Sequence, residues 1–270
     1  MLELNHGFRI VDVHARIHAG EDATRGRNVG AEALEREMHQ AGVVRSVVFA
    51  DPQPDGEGYL RANNAVARQA VERPFVAFAR IDGPREVGSG AGSALRNLTG
   101  GREAHHTDPE DVERYAYDDR FYGFKLDPVQ DGLPDAETLD ALDDVGLPLL
   151  VHGDTGFAPD AVADALLGYD FPVILAHFGG HPLDRELMHA AVDALDAHDA
   201  LHVDTSAVRY RTVLERALRE HPDRVLFGSG APAVHPNVAA MEILTLDVPE
   251  DAMRRAFSKN AARLVPALAP

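Results

Sequence analysis

Short apolar runs alternate with amphipathic segments along nearly the whole chain. Runs of this length, rich in Val, Ile, Leu and Phe, predict buried strands. Eight such runs are present: Phe8–Val13, Val43–Phe49, Phe75–Ile81, Tyr122–Leu126, Pro148–Val151, Pro172–Ala176, Leu201–Val203 and Arg224–Phe227. Strands that alternate with helices predict a parallel sheet. We therefore predict an α/β fold, a (β/α)8 TIM barrel, as a single domain over residues 1–270.

The segments between these runs have the periodicity of amphipathic helices. The first, Ala31–Gly42, places Leu34 and Met38 on one face and ends at a glycine, which favours a helix C-terminus. Further helices are predicted at Tyr59–Glu72, Pro109–Tyr117, Asp135–Val145, Ala158–Leu167, Pro182–Ala197, Thr212–Glu220, Pro249–Phe257 and Ala261–Val265. The Gly-rich segment Asp82–His106 lacks periodicity, and we interpret it as a mobile lid.

Polar residues with useful chemistry follow several predicted strands. Because the carboxyl ends of the strands of a barrel meet at one mouth, we expect these side chains to lie together. They are His14, Arg16, Lys125, His152, Asp154, His177 and Asp204. This arrangement predicts a functional site at the carboxyl face.

Three histidines lie at the ends of strands one, five and six, namely His14, His152 and His177. Neutral imidazoles from three strands can bind Zn²⁺ or a similar divalent ion and leave a coordination position for water or substrate. Such a metal lowers the pKa of bound water or polarises a carbonyl group. We predict one divalent metal at these histidines. The alternative is that they are structural core residues.

The two cations at the mouth, Arg16 and Lys125, have several interpretations. Arg16 is expected to bind a carboxylate or phosphate, or else to pair with Asp12 or Asp204. Lys125 is one of only two lysines in a chain rich in arginine, which indicates a role that needs an amine able to lose its proton. The candidate roles are a nucleophile that forms a Schiff base, a carboxylated lysine that bridges metal ions, and a cation that binds the substrate. A salt bridge to Asp127 or Asp154 is the alternative for this lysine.

Two aspartates and one glycine-containing turn complete the candidate site. Asp204 and Asp154 are candidate general bases, or residues that orient other groups. Ser229 and Gly230 follow strand eight within a GSG turn. Barrels often bind phosphate at this position through backbone N–H groups, so we expect these two residues to contact an anionic substrate.

The motifs VDVHARIH, GFKLDP, VHGD, ILAHFGG, DTSA, LFGSGAP and KNAARL together resemble the amidohydrolase family 2 branch of the metal-dependent amidohydrolase superfamily. That branch includes aminocarboxymuconate-semialdehyde decarboxylase. The resemblance implies a distorted barrel and a metal, usually Zn²⁺, held by a His-x-His pair, two later histidines and an aspartate. His14, His152 and His177 match three of these positions. Arg16 stands at the second histidine of the pair and Gly230 at the aspartate, so retention of the metal is left open.

The chain is strongly acidic, with 26 Lys and Arg against 44 Asp and Glu, a net charge of −18. This charge repels nucleic acids and anionic membranes, so neither is expected as a partner. The scarcity of lysine and the abundance of aspartate predict a halophilic surface, although a GC-rich genome is an alternative explanation. Without cysteine, thiolate metal sites and disulfides are excluded. We expect a cytoplasmic protein, and homo-oligomerisation is left open.

Three functions are compatible with these residues. The first is a metal-dependent hydrolase or decarboxylase with an altered metal site that acts on a small anionic molecule. The second is a metal-free isomerase or lyase that uses Lys125, Asp204 and Arg16. The third is a non-catalytic descendant that binds a ligand. The three histidines favour the first function, whereas Arg16 and Gly230 favour the others.

Overall fold

The computed structural model describes residues 6–18, 30–88, 97 and 101–269. Part of the segment that we interpret as a lid, residues 89–96 and 98–100, therefore lies outside the described residues. So does most of the polar stretch that follows the first strand.

Eight parallel strands form one sheet in the order of the sequence, as the apolar pattern predicts. They are β1 Ile10–Ile17, β2 Val43–Ala50, β3 Phe75–Arg80, β4 Phe121–Leu126, β5 Leu149–Val151, β6 Val173–Leu175, β7 Leu201–Asp204 and β8 Val225–Leu226. The last strand returns to the first, since the Val13 amide donates to the Phe227 carbonyl at 2.9 Å. A second bond of 2.9 Å joins the Arg16 amide to the Ala231 carbonyl. The predicted barrel is confirmed.

Helices occupy the connections between strands. They are α1 Ala31–Ala41, α2 Leu60–Ala70, α3 Pro109–Tyr117, α4 Pro128–Asp131, α5 Ala136–Val145, α6 Pro159–Leu166, α7 Arg185–Ala197, α8 Arg211–Glu220, α9 Pro236–Leu244, α10 Glu250–Arg254 and α11 Asn260–Leu264. The pattern did not predict α4 or α9, which begin at Pro128 and Pro236. A π-helical turn, Arg255–Lys259, joins α10 to α11. None of the described helices has the length and apolarity needed to cross a membrane.

Side chains of the strands fill two separate layers. Val11 and Val13 of β1 belong to the cluster inside the barrel, whereas Ile10 and Ile17 pack in the cluster between strands and helices. Leu268, from the C-terminal segment, joins the inner cluster. Because the interior is packed with apolar side chains, ligands have access only at the ends of the barrel.

Exposed arginines pair with acidic residues over much of the surface. Arg216, for example, lies 2.6 Å from Asp193 and 2.8 Å from Glu220. Such exposed pairs contribute little to stability because water screens them and side-chain entropy opposes them. They do not change the net charge of −18, which already includes every arginine.

We expect the melting temperature to rise by about 5 °C between 0.05 and 0.5 M KCl, because salt screens the net repulsion over this range. Differential scanning fluorimetry in KCl measures the shift. Sucrose, which is excluded from protein surfaces without screening charge, is the control. A melting temperature that does not change with KCl would favour the genomic explanation of the acidic composition.

Candidate functional site

One cavity of about 270 Å³ opens at the carboxyl ends of the strands. Six of the residues selected from the sequence line it: His14, Arg16, Lys125, His152, His177 and Gly230. Phe49, Arg80, Asp127 and His181 also contribute to its wall. Asp204, Asp154 and Ser229 do not line the cavity.

His14, His177 and Asp204 form the tightest polar group at this mouth. Each offers a potential metal-ligand atom, and the three atoms lie within 4.8 Å of one another. Asp204 is fully buried at the end of β7. Its carboxylate accepts from His14 Nδ1 at 2.7 Å and from the His177 backbone amide at 3.2 Å. His14 lies within β1, which extends past the predicted strand end at Val13, and the Asp204 carboxylate thus connects this strand to the ends of β6 and β7.

Ser206, which the sequence analysis missed, fixes both imidazole rings. Its hydroxyl lies 3.1 Å from His14 Nδ1 and 2.9 Å from His177 Nδ1, and it donates to Asp204. The Ser206 carbonyl accepts from His177 Nδ1 at 2.9 Å. Because Nδ1 of each ring is within hydrogen-bonding distance of other protein groups, Nε2 is the ring nitrogen that remains available to a ligand in the cavity. The only sequence signal for this role was a serine two residues after the strand-end aspartate.

The protonation states of this group suit a metal ion. Burial, followed by the charge of His14, lowers the pKa of His177 to about 3. Burial and the charge of Lys125 lower the pKa of His152 far below its usual value. Burial alone would raise the pKa of Asp204, but the charge and hydrogen bond of His14 outweigh it and lower that pKa. Neutral imidazoles and an ionised carboxylate are the forms that bind Zn²⁺ or Mn²⁺, so the residues present fit a divalent metal.

His152 and a histidine that the sequence analysis did not select, His181, extend the group. The ring centroids of His152 and His177 are 4.8 Å apart, and His181 lies 5.0 Å from His152 and 4.9 Å from His177. The sequence predicts His152 as a metal ligand, and Asp204 as a general base or an orienting residue. In the structure, the third potential ligand atom of the tight group comes from Asp204, and His152 lies beside that group.

Arg16 pairs with a residue that the sequence analysis did not consider. Its Nε lies 2.8 Å from Asp51 Oδ1, and 39% of its side chain is exposed. Asp51 also accepts from His18 Nδ1 at 3.0 Å. The expected alternatives, Asp12 and Asp204, are not its partners. Arg16 is therefore a rim residue whose charge is partly compensated.

The GSG turn is engaged with the protein itself. The Ser229 amide donates to Asp12 Oδ1 at 2.8 Å, and the Gly230 amide donates to the His14 carbonyl at 2.9 Å. The Gly228 amide donates to Thr205 Oγ1 at 3.2 Å. The expected anion contact through these amides is therefore not supported. These bonds tie the end of β8 to β1 and, through Thr205, to the residue that follows β7.

Asp154 holds the turn that follows β5. Its Oδ1 accepts from the amides of Gly156 at 2.7 Å and Phe157 at 3.0 Å. Its Oδ2 lies 3.8 Å from His152 Nε2. This placement outside the cavity wall supports the orienting role over that of a general base.

Lys125 is buried at the end of β4, with 3% of its surface exposed. Its Nζ donates to the Leu126 carbonyl at 3.0 Å and lies 5.5 Å from the centre of the Phe49 ring. Burial lowers its pKa to about 8. Among the residues described, neither Asp127 nor Asp154 forms the salt bridge that was considered for this lysine.

Arg80, at the end of β3, is a cation of the cavity that the sequence analysis overlooked. Its guanidinium donates to Asp131 at 2.8 and 3.1 Å and lies 5.2 Å from the centre of the Tyr59 ring. Tyr59 also donates its hydroxyl to Asp131 at 2.6 Å. Arg16, Arg80 and Lys125 thus face the cavity against one lining carboxylate, Asp127. Because Arg16 and Arg80 are paired with Asp51 and Asp131, Lys125 is the one of these three cations that has no salt bridge within the described residues, which favours it as the contact for a small anion.

A family model described as "Amidohydrolase" matches residues 11–267 of the chain. No curated protein is significantly similar to it in sequence.

Several solved structures share the fold at low sequence identity. A 2,6-dihydroxybenzoate decarboxylase from Rhizobium is 15% identical with a TM-score of 0.66, covering 95% of this chain and 98% of that one. A putative 2-pyrone-4,6-dicarboxylic acid hydrolase from Pseudomonas putida is 14% identical with a TM-score of 0.67, covering 97% and 99%. A dihydroxybenzoic acid decarboxylase from Polaromonas with bound manganese and 2-nitroresorcinol is 16% identical with a TM-score of 0.60, covering 95% and 96%.

Proposed function

Because the chain belongs to the amidohydrolase family, we propose that it is a metal-dependent enzyme that hydrolyses or decarboxylates a small anionic substrate. The observation that carries this proposal is the group of His14, His177 and Asp204 at the mouth of the barrel. The group combines two imidazoles with an anionic carboxylate, and it adjoins a cavity lined by three cations.

His14 and His177 would hold the metal through Nε2, while Asp204 orients His14 or adds a carboxylate oxygen. A bound Zn²⁺ or Mn²⁺ supplies Lewis acidity at a substrate oxygen. Manganese in the Polaromonas decarboxylase supports Mn²⁺ as well as Zn²⁺. The absence of a second histidine at Arg16 and of an aspartate at Gly230 predicts weaker binding than a complete family site would give.

The remaining cavity residues would bind the substrate and move its protons. Arg80 and Lys125 lie side by side on β3 and β4 and can pair with a carboxylate. His152 and His181 line the same cavity, where their imidazoles would exchange a proton with the substrate. Phe49 gives the wall an apolar surface.

A cavity of about 270 Å³ suits an acid with a single ring. The similar folds of decarboxylases for dihydroxybenzoates and of a pyrone dicarboxylic acid hydrolase support flat cyclic carboxylates as the substrate class. Measuring CO₂ release and ring opening on a panel of such acids distinguishes decarboxylation from hydrolysis.

We expect His177→Ala to lower the affinity for Mn²⁺ by about 100-fold, because it removes one of few available ligands. Calorimetry on protein stripped with chelator and titrated with MnCl₂ or ZnCl₂ measures this change. The matched control is His39→Ala, which removes an exposed histidine of α1 and should leave affinity unchanged. Failure of the native protein to bind either metal would overturn the metal-dependent function and favour a metal-free lyase.

A further inference from the structure

Lys125 differs from the other two cations of the cavity in having no acidic partner. Arg16 pairs with Asp51 and Arg80 with Asp131. No carboxylate of the described residues lies within salt-bridge distance of Lys125, and its one hydrogen bond is to the Leu126 carbonyl. An ammonium group that is buried without a counter-ion is destabilised relative to the neutral amine.

The surroundings of Lys125 are those of an activated nucleophile. The side chain is almost fully buried against Phe49, yet it faces the cavity. The lowered pKa of about 8 agrees with this environment, because burial penalises the charged form. Lysines that attack carbonyl groups are activated by desolvation in apolar surroundings and by a neighbouring cation.

Arg80 is that neighbouring cation. It is paired in register with Lys125 across β3 and β4, so both side chains point to the same side of the sheet. A small molecule that carries a carboxylate and a carbonyl group could contact both, with its carboxylate at Arg80 and its carbonyl carbon at Lys125. Oxo acids have this pair of groups.

We propose that Lys125 captures small oxo acids covalently as an imine, an activity additional to the metal-dependent reaction. The neutral amine attacks the carbonyl carbon to form a carbinolamine. The nitrogen then loses its second proton and the former carbonyl oxygen leaves as water, so that a C=N bond replaces the C=O bond. No oxidant or reductant is required, and no metal takes part.

The chain offers an internal control because it contains only two lysines, Lys125 and Lys259. Lys259 is exposed, with 59% of its side chain accessible, and pairs with Asp251 at 3.0 Å. If solvent exposure alone decides which amine reacts, Lys259 should react faster. If the local environment decides, Lys125 should react faster.

The test is to incubate the native protein with pyruvate and sodium cyanoborohydride, which reduces an imine to a stable secondary amine. Peptide mass spectrometry then locates the adduct. We expect Lys125 to be labelled at least about 10-fold faster than Lys259, given its larger neutral fraction. Lys125→Arg should abolish the rapid labelling, and Lys259→Arg should leave it unchanged. Labelling should also persist after removal of metal, which separates this activity from the proposed metal-dependent function.

Equal labelling of the two lysines, labelling only at the N-terminal amine, or no adduct at saturating pyruvate would each overturn the proposal. The native protein by itself decides between these outcomes, so the result does not depend on the folding of a variant.

Discussion

Replacing Arg80 by methionine is expected to lower the free energy of unfolding by about 3–5 kcal/mol, because it leaves a buried carboxylate without its partner. Only 3% of the Arg80 side chain and 2% of the Asp131 side chain are exposed. The Tyr59 hydroxyl would remain as a donor to Asp131, but it carries no charge. Urea denaturation monitored by circular dichroism measures the change.

The matched control is Arg114→Met, which breaks the exposed pair with Asp111, where 58% of the arginine side chain is accessible. Its effect should stay within about 1 kcal/mol. The double variant Arg80→Met with Asp131→Leu should recover much of the stability, because no unpaired charge remains buried. An Arg80→Met protein as stable as the wild type would contradict the description of Arg80 and Asp131 as a buried ion pair.

Restoring the family pattern with Arg16→His and Gly230→Asp is expected to strengthen Mn²⁺ or Zn²⁺ binding by about 10-fold or more. The change removes a fixed cation at the rim and adds an imidazole and a carboxylate near His14 and His177. Gly230 has φ +72°, and a Cβ placed there would lie 3.4 Å from the Ser206 Cβ. Aspartate tolerates this left-handed conformation better than most residues, so the cost to stability should be about 1 kcal/mol.

Calorimetry with MnCl₂ and with benzoate measures both affinities, and benzoate binding should weaken as the positive charge is lost. The control variant Arg16→Gln with Gly230→Ala removes the same cation and introduces similar backbone strain without adding ligands. If this control gains metal affinity as well, loss of the charge rather than gain of ligands explains the result. Unchanged metal affinity in the restored variant would place Arg16 and Gly230 outside the metal site.

The alternation of apolar runs and amphipathic segments was enough to predict the barrel and the face that carries the cavity. Strand periodicity is a local property of the sequence. The geometry of a closed parallel sheet brings the carboxyl ends of its strands together whichever side chains those strands carry. For this reason His14, Lys125, His152 and His177 could be selected from the sequence and share one cavity. The family resemblance also predicts that Arg16 and Gly230 stand where the family has metal ligands.

Only the tertiary structure decided which polar groups are partners. His14 and Asp204 are 190 positions apart in the chain, and their contact depends on the register and closure of the barrel. Ser206 and the Arg80–Asp131 pair had no distinguishing sequence pattern, because serine, arginine and aspartate are common at strand ends and in turns. Hydrogen bonds act over about 3 Å, so their partners are set by side-chain positions that hydrophobic periodicity does not specify.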